Sequence, residues 1–226
     1  MTTTAPTERP TLTENDRLAA RLRVQFERRG VLCLNLISAP GSGKTTLLES
    51  TLRGLPAGTR AAVLTGDIQT DNDARRIARA GYPVKQISTG GICHLDAAMV
   101  TEALADWDLD TVELLFIENV GNLVCPTAYD LGEHAKVVLL SVAEGDDKPE
   151  KYPGIYRRAA LSVITKSDLL PYVDFSVAAA RAHADRVRPG LPQIVVSCRT
   201  GAGLDAWQAW LRQRRTAATA WMEVRR

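Results

Sequence analysis

Val31-Leu32-Cys33-Leu34-Asn35-Leu36-Ile37-Ser38 runs straight into Ala39-Pro40-Gly41-Ser42-Gly43-Lys44-Thr45-Thr46. The first eight residues form an apolar run of strand length, as expected of a buried strand. Leu47 and Leu48 then begin the apolar face of a helix over about 44–54. Between strand and helix, a glycine-bearing loop lets several backbone N–H groups converge on phosphate oxygens, and the helix N-terminus adds its positive dipole. In the general pattern GxxxxGK[ST], the lysine bridges the β- and γ-phosphates and the next hydroxyl sits on Mg²⁺. Lys44 and Thr45 occupy those positions, Gly41, Ser42, Gly43 and Thr46 complete the cradle, and Ser38 stands where the first glycine is usual.

The chain on either side repeats the same alternation. Further buried strands are expected at 61–66, 84–88, 112–117, 136–142, 159–164 and 193–197. Helices fit at about 71–81, 95–106, 174–187 and 203–215. Upstream, Thr11-x-x-Glu14 is a capping-box pattern, Leu18, Leu22 and Phe26 recur at fourfold spacing, and Gly30 suits the C′ position, so a helix precedes the first strand. Strands alternating with helices imply right-handed crossovers and an α/β, doubly wound, mainly parallel sheet of the P-loop NTPase type with an N-terminal helix. Residues 1–10 are expected to be flexible and 11–226 to form one domain. Ligands of such sheets bind beyond the carboxyl ends of the strands.

Composition narrows the class without naming an activity. The 226 residues are 45% apolar and 24% charged, and Lys+Arg 28 against Asp+Glu 26 leave +2. Nothing in that balance argues for nucleic acid or an anionic membrane surface. No run of eighteen apolar residues occurs, and MTTTAPTERP lacks the basic start and apolar core of a signal peptide, so a cytoplasmic protein with reduced thiols is expected. Its four cysteines, Cys33, Cys93, Cys125 and Cys198, contain no CxxC pair. In a reducing compartment they are core residues, metal ligands or nucleophiles.

The unusual residues fall at the strand ends. A phosphate loop needs acids that hold Mg²⁺ directly or through water. Asp67 ends one strand, and Glu118-Asn119-Val120-Gly121 ends another in a pattern resembling the DxxG element of GTPases. There the acid supports Mg²⁺ and the glycine amide senses the γ-phosphate. Asp67 and Glu118 are also the positional candidates for orienting an attacking water. Thr165-Lys166-Ser167-Asp168 resembles the guanine-reading NKxD motif, with Thr165 for Asn. Asp168 is placed to accept the guanine N1–H and N2–H₂, and the Lys166 stem to pack on the base. Ser197-Cys198-Arg199-Thr200-Gly201 matches the weaker SAxTG element.

Cys93-His94 is expected to open a helix, and Cys125-Pro126 follows the Glu118 strand. Thiolate and imidazole favour zinc, nickel or copper over magnesium or calcium. Cys125 lies four residues past Gly121, at most about 14 Å along the chain, so a metal held there would feel movement of the γ-phosphate sensor. Three ligands leave a fourth position for water or a neighbouring subunit. Cys33, inside an apolar strand, is expected in the core. His134 and His183 have no thiol or carboxylate partner at ligand spacing, and Trp207 and Trp210 are expected to pack the last helix.

Taken with Gly66–Asp73 (GDIQTDND), Cys93–Ala97 (CHLDA) and Ser141–Pro149 (SVAEGDDKP), the string Glu118–Pro126 (ENVGNLVCP) resembles the HypB family, GTPases that assist nickel insertion during [NiFe]-hydrogenase maturation. The resemblance spans about residues 12–215. It implies GTP hydrolysis with Mg²⁺, and a Ni²⁺ or Zn²⁺ site on Cys93, His94 and Cys125 at the interface of a nucleotide-linked homodimer. It also implies hydrogenase maturation proteins and the hydrogenase large subunit as partners. Residues 1–30 hold no Cys and no His, so neither the N-terminal CxxCGC site nor the His-rich stretch of some members carries over.

Three other readings share parts of this pattern. A urease-maturation GTPase shares the phosphate loop and a Cys/His pair but not ENVGNLVCP. A small-molecule kinase would need an arginine-rich lid, for which Arg75, Arg76 and Arg79 are the near candidates. A non-catalytic metal module leaves Lys44 and Thr45 without a purpose.

Overall fold

The structure, a computed structural model, describes residues 2–4, 11–67 and 72–223, with side chains described over 11–66 and 73–217. Eight strands among these residues form one sheet: β1 (Thr2–Thr4), β2 (Leu32–Ser38), β3 (Ala61–Asp67), β4 (Val84–Ser88), β5 (Leu114–Glu118), β6 (Ala135–Ser141), β7 (Ala159–Thr165) and β8 (Gln193–Val195). Their order is β1-β4-β3-β5-β2-β6-β7-β8, and every pairing is parallel. The helices are α1 (Leu12–Arg29), α2 (Lys44–Arg53), α3 (Asn72–Ala78), α4 (Ala97–Leu104), α5 (Cys125–Ala128), α6 (Lys148–Lys151), α7 (Pro153–Arg158), α8 (Val177–Val187) and α9 (Leu204–Glu223).

The strands are apolar on both faces because both faces are covered. Along β2, Leu32, Leu34 and Leu36 join the core beneath α2 and α9, whereas Cys33 faces the α1–α4 side. Cys33 is thus the core thiol expected. From β2 the chain builds outward to β3 and β4, inserts β5, then crosses to β6, β7 and β8. That reversal opens a crevice at the carboxyl end of β2. The register sets Glu118 opposite both Leu36 of β2 and Thr65 of β3, level with the start of the phosphate loop.

Both outer helices tie this arrangement to the sheet. Helix α1 has the expected capping box between Thr11 and Glu14, and Gly30 closes it at φ 72°. Its buried Asn15 accepts from Ala97 N–H at 2.8 Å and donates to Asp130 O at 2.9 Å, linking α1 to the start of α4. On the opposite face, Trp207 Nε1 donates to Thr51 Oγ1 of α2 at 2.7 Å. Trp207 and Trp210 stack within α9, packing the last helix as expected.

Local details differ from expectation where a stronger cap or a proline intervenes. The helix expected over 95–106 begins only at Ala97, because Asp96 caps it by accepting from Met99 N–H at 2.9 Å. Cys93 and His94 therefore lie in the loop before α4 and do not open it. Cys125 instead starts α5, with Pro126 in its first turn. Helices α6 and α7, each with a proline in its first turn, fill a stretch whose apolar pattern predicts no element. Helix α9 runs past the expected 215. Of the stretch 1–10, only Thr2–Thr4 is described, paired with β4. No described helix is long and apolar enough to cross a membrane.

His134 has a structural explanation. Its Nδ1 accepts the Cys33 N–H at 3.0 Å, its Nε2 is buried without a partner among the described residues, and burial holds its pKa below the ordinary 6.5. Glu27 opposes that shift and Arg23 adds to it. The neutral ring is what the fold accepts, so below pH 6.5 the unfolded chain binds the extra proton and stability falls with pH. His134→Asn keeps an acceptor for Cys33 but does not titrate. Urea unfolding at pH 7.5 and 5.5 should therefore show a smaller acid loss in the variant than in the wild type; equal losses would remove His134 from the account.

Candidate functional site

An open cavity of about 450 Å³ lies beyond β2 and β5, lined by the 40–46 loop, Gly66, Asp73, Arg76, Glu118 to Gly121 and Lys166. Gly41 and Gly43 adopt φ of 74° and 95°, the left-handed region that a glycine enters without a Cβ penalty. Those two kinks turn the loop around the cavity and deliver it into α2. Lys44, buried to its tip, donates from Nζ to Ser38 Oγ at 3.0 Å. The serine that replaces the usual glycine thus holds the lysine. Thr46 faces the same cavity, where Arg76 reaches it at 3.2 Å while pairing with Glu49 at 2.7 Å. Ser42 is different. Its hydroxyl turns inward to Ala39 O and Glu144 Oε1, so only its backbone faces the loop.

The acid opposite the loop is Glu118, 4% exposed, whose Oε1 accepts from Thr45 Oγ1 at 2.7 Å. Oε2 is buried with no hydrogen-bond partner among the described residues. Burial pushes the Glu118 pKa up to about 7 against the pull of Lys44 and Thr45. A buried carboxylate oxygen left unmatched beside a hydroxyl is costly unless a cation completes it. These residues fit a divalent ion. Asp67 ends β3, but its side chain lies outside the described residues. Gly121 packs on the loop itself: a Cβ there would come within 2.9 Å of Pro40 Cα.

The 165–168 stretch lies at the rim. Lys166 takes φ 59° and donates from Nζ to Gly41 O at 2.7 Å. Thr165 Oγ1 donates to Ser42 O at 2.6 Å, tying β7 to the phosphate loop. Asp168, in a short 3₁₀ turn over Ser167–Tyr172, does not line the cavity; its Oδ1 accepts from Ser197 Oγ at 2.6 Å. Ser197 stands in the 197–201 stretch already singled out, and its orienting of Asp168 is a role that spacing could not disclose.

On the far side of the Glu118 loop, Cys93, His94 and Cys125 converge, with their ligand atoms all within 4.8 Å of one another. Cys93 Sγ donates to Cys125 Sγ at 2.8 Å and lies 3.8 Å from His94 Nδ1. The hydrogen bond to Cys125, then burial, raise the Cys93 pKa. Ligands about 2.0–2.3 Å from one soft ion stand some 4 Å apart, which this cluster nearly meets. His94 is buried and its ring stacks on Tyr129 at 3.9 Å, a support that no sequence pattern announced.

Fold and site together define a P-loop nucleotide-binding protein whose 118–125 loop ends in a thiol–imidazole cluster. Residues 33–195 match the family described as the CobW/HypB/UreG nucleotide-binding domain. The chain is 52% identical to hydrogenase maturation factor HypB of Azotobacter vinelandii over 97% of its own length and 73% of that protein. It superposes on HypB from Helicobacter pylori, crystallised in complex with nickel, with a TM-score of 0.85 and 37% identity, covering 90% of this chain and 95% of that one. HypB from Archaeoglobus fulgidus gives 0.84 and 39%, over 90% and 99%. The chain belongs to the CobW/HypB/UreG family, on its HypB branch.

Proposed function

We propose that this chain is a GTP-hydrolysing nickel metallochaperone of [NiFe]-hydrogenase maturation. One loop carries the reading: it begins at Glu118, 2.7 Å from Thr45, and ends at Cys125 in the metal cluster. Lys44 and the backbone of Gly41, Ser42, Gly43 and Thr46 hold the phosphates, and Gly121 senses the γ-phosphate. Thr45 and Glu118, with Asp67, hold Mg²⁺, which when bound neutralises charge on the transferring phosphoryl group. Lys166 and Asp168 bind guanine. Nickel is cargo, taken by Cys93, His94 and Cys125, with zinc as its competitor; the fourth position is open to water or a second copy of the chain. The HypB reading carries a nucleotide- and metal-linked homodimer, delivery to maturation proteins and the hydrogenase large subunit, and a cytoplasmic setting.

Equilibrium binding of GTP and ATP, each with and without Ni²⁺, tests this reading. Preference for GTP and a shift in its affinity on adding Ni²⁺ are expected; indifference to both would return the chain to a general P-loop role.

Asp168→Asn tests the base pocket. The carboxylate is replaced by an amide that donates to the 2-oxo group of xanthine. Losing one charge-assisted hydrogen bond weakens GTP by roughly 10- to 150-fold, while xanthosine triphosphate gains. Unchanged GTP affinity, read by titration with a fluorescent analogue, would move guanine recognition elsewhere.

A further inference from the structure

The two asparagines that flank Gly121 both grip the backbone of His94. Asn119 is 1% exposed, and its Oδ1 accepts from Leu95 N–H at 3.2 Å and from Val120 N–H at 3.0 Å. Its Nδ2 donates to Asn35 Oδ1 of β2 at 3.3 Å. Asn122 donates from Nδ2 to Cys93 O at 3.3 Å and accepts from Val124 N–H at 2.8 Å. Cys93 O and Leu95 N–H belong to the two peptide groups on either side of the His94 Cα. Both planes that orient the imidazole are therefore fixed by one loop.

That loop has little slack at either end. On the nucleotide side Gly121 leaves no room for a Cβ against Pro40. Across from it, Leu95, whose N–H Asn119 holds, packs its side chain over Gly66 of the cavity wall, where a Cβ would come within 2.8 Å of Leu95 Cγ. Packed contacts of this kind move between discrete arrangements and do not stretch. A shift of Gly121 reaches its neighbour Asn122, which holds Cys93 O, whereas Asn119, tied to β2 through Leu36 O and Asn35, holds Leu95 N–H in place, so the two peptide planes about His94 turn against each other.

We infer that Asn119 and Asn122 are positioning residues that convert the position of the γ-phosphate sensor into the geometry of the Cys93–His94–Cys125 cluster. This rests on the nickel-GTPase reading and names the parts that would link its two halves. Coupling of this kind is reciprocal, and typical values change affinity about 5- to 150-fold.

The test measures Ni²⁺ dissociation constants with GDP and with a non-hydrolysable GTP analogue, in wild type, Asn122→Ala and Asn119→Ala. Nickel–thiolate absorption bands report the cluster directly in each state. A merely structural asparagine would shift both constants together; a coupling residue collapses their ratio. The expected result is a ratio in the 5- to 150-fold range in wild type that falls to within about twofold of unity in both variants. The absorption bands should then no longer differ between GDP and the analogue. Asn122 is only half-buried, so Asn122→Ala decides alone if loss of the deeper Asn119 prevents folding. A wild-type ratio that survives in Asn122→Ala overturns the clamp and leaves the nickel-GTPase reading standing. Equal constants in the wild type overturn the clamp and the nucleotide linkage together, and absence of GTP binding sinks the underlying reading itself.

Discussion

Lys44→Ala is expected to lower GTP hydrolysis by about 10²- to 10³-fold or more, the loss that follows removal of one preorganised group facing developing charge. The ammonium is the nearest cation to the buried end of the loop, held against Ser38 Oγ at 3.0 Å and acting electrostatically on Glu118. An alanine leaves the transferring phosphoryl without that charge; of the other cations lining the cavity, Lys166 is committed to Gly41 O and Arg76 to Glu49. Single-turnover hydrolysis at saturating GTP isolates the chemical step from binding. Near-normal turnover in Lys44→Ala, with folding checked by circular dichroism, would sink the phosphate-loop assignment.

Cys125→Ala should weaken nickel by at least about 100-fold, since even outer partners of metal ligands cost 10- to 100-fold when lost. Cys125 is one of the three proposed ligands, and its loss would leave Cys93 and His94 as an adjacent pair with little chelating geometry. Because Cys125 begins a four-residue helix at the surface of the loop, its truncation removes a sulfur without opening the core. Competition against a chromophoric chelator measures the constant. Unchanged affinity would make Cys125 a packing thiol beside Pro126 and the cluster an accident of proximity.

The parts of the molecule readable in sequence are those whose physics is local. Strands covered on both faces become continuous apolar runs, so β2 and β5 to β7 stand out without tertiary information. The phosphate loop is legible because its glycines, lysine and threonine act on one ligand from consecutive positions. Cap competition is also local, yet the spacing of Cys93 and His94 does not reveal which residue wins. Asp96 caps α4 better than Cys93 could, which leaves Cys93 and His94 in a loop. What stays hidden is set by the packing of distant segments. Nothing near His94 in sequence points to Tyr129, which meets it only because α5 folds back from β5. The tie from Thr165 to Ser42 spans 123 positions and shows how a threonine bridges the base motif and the phosphate loop. Asp168 owes its orientation to Ser197 in the same way.

The place of β5 has a consequence for how the chain comes to be competent. In the sheet it lies between β3 and β2, although it is made after both. Until it inserts, neither Glu118 nor Asn119 has its station, and Cys125 has not met Cys93. Non-local parallel pairing is the slow part of assembling such folds. Insertion of β5 is therefore expected to complete both proposed sites together, and a chain lacking it should neither sequester nickel tightly nor trap GTP. The reverse also holds. Loosening β5, for example through the fully buried Phe116, should release nucleotide and metal along a single denaturation curve. Quality control of the fold and readiness for cargo are thereby the same checkpoint.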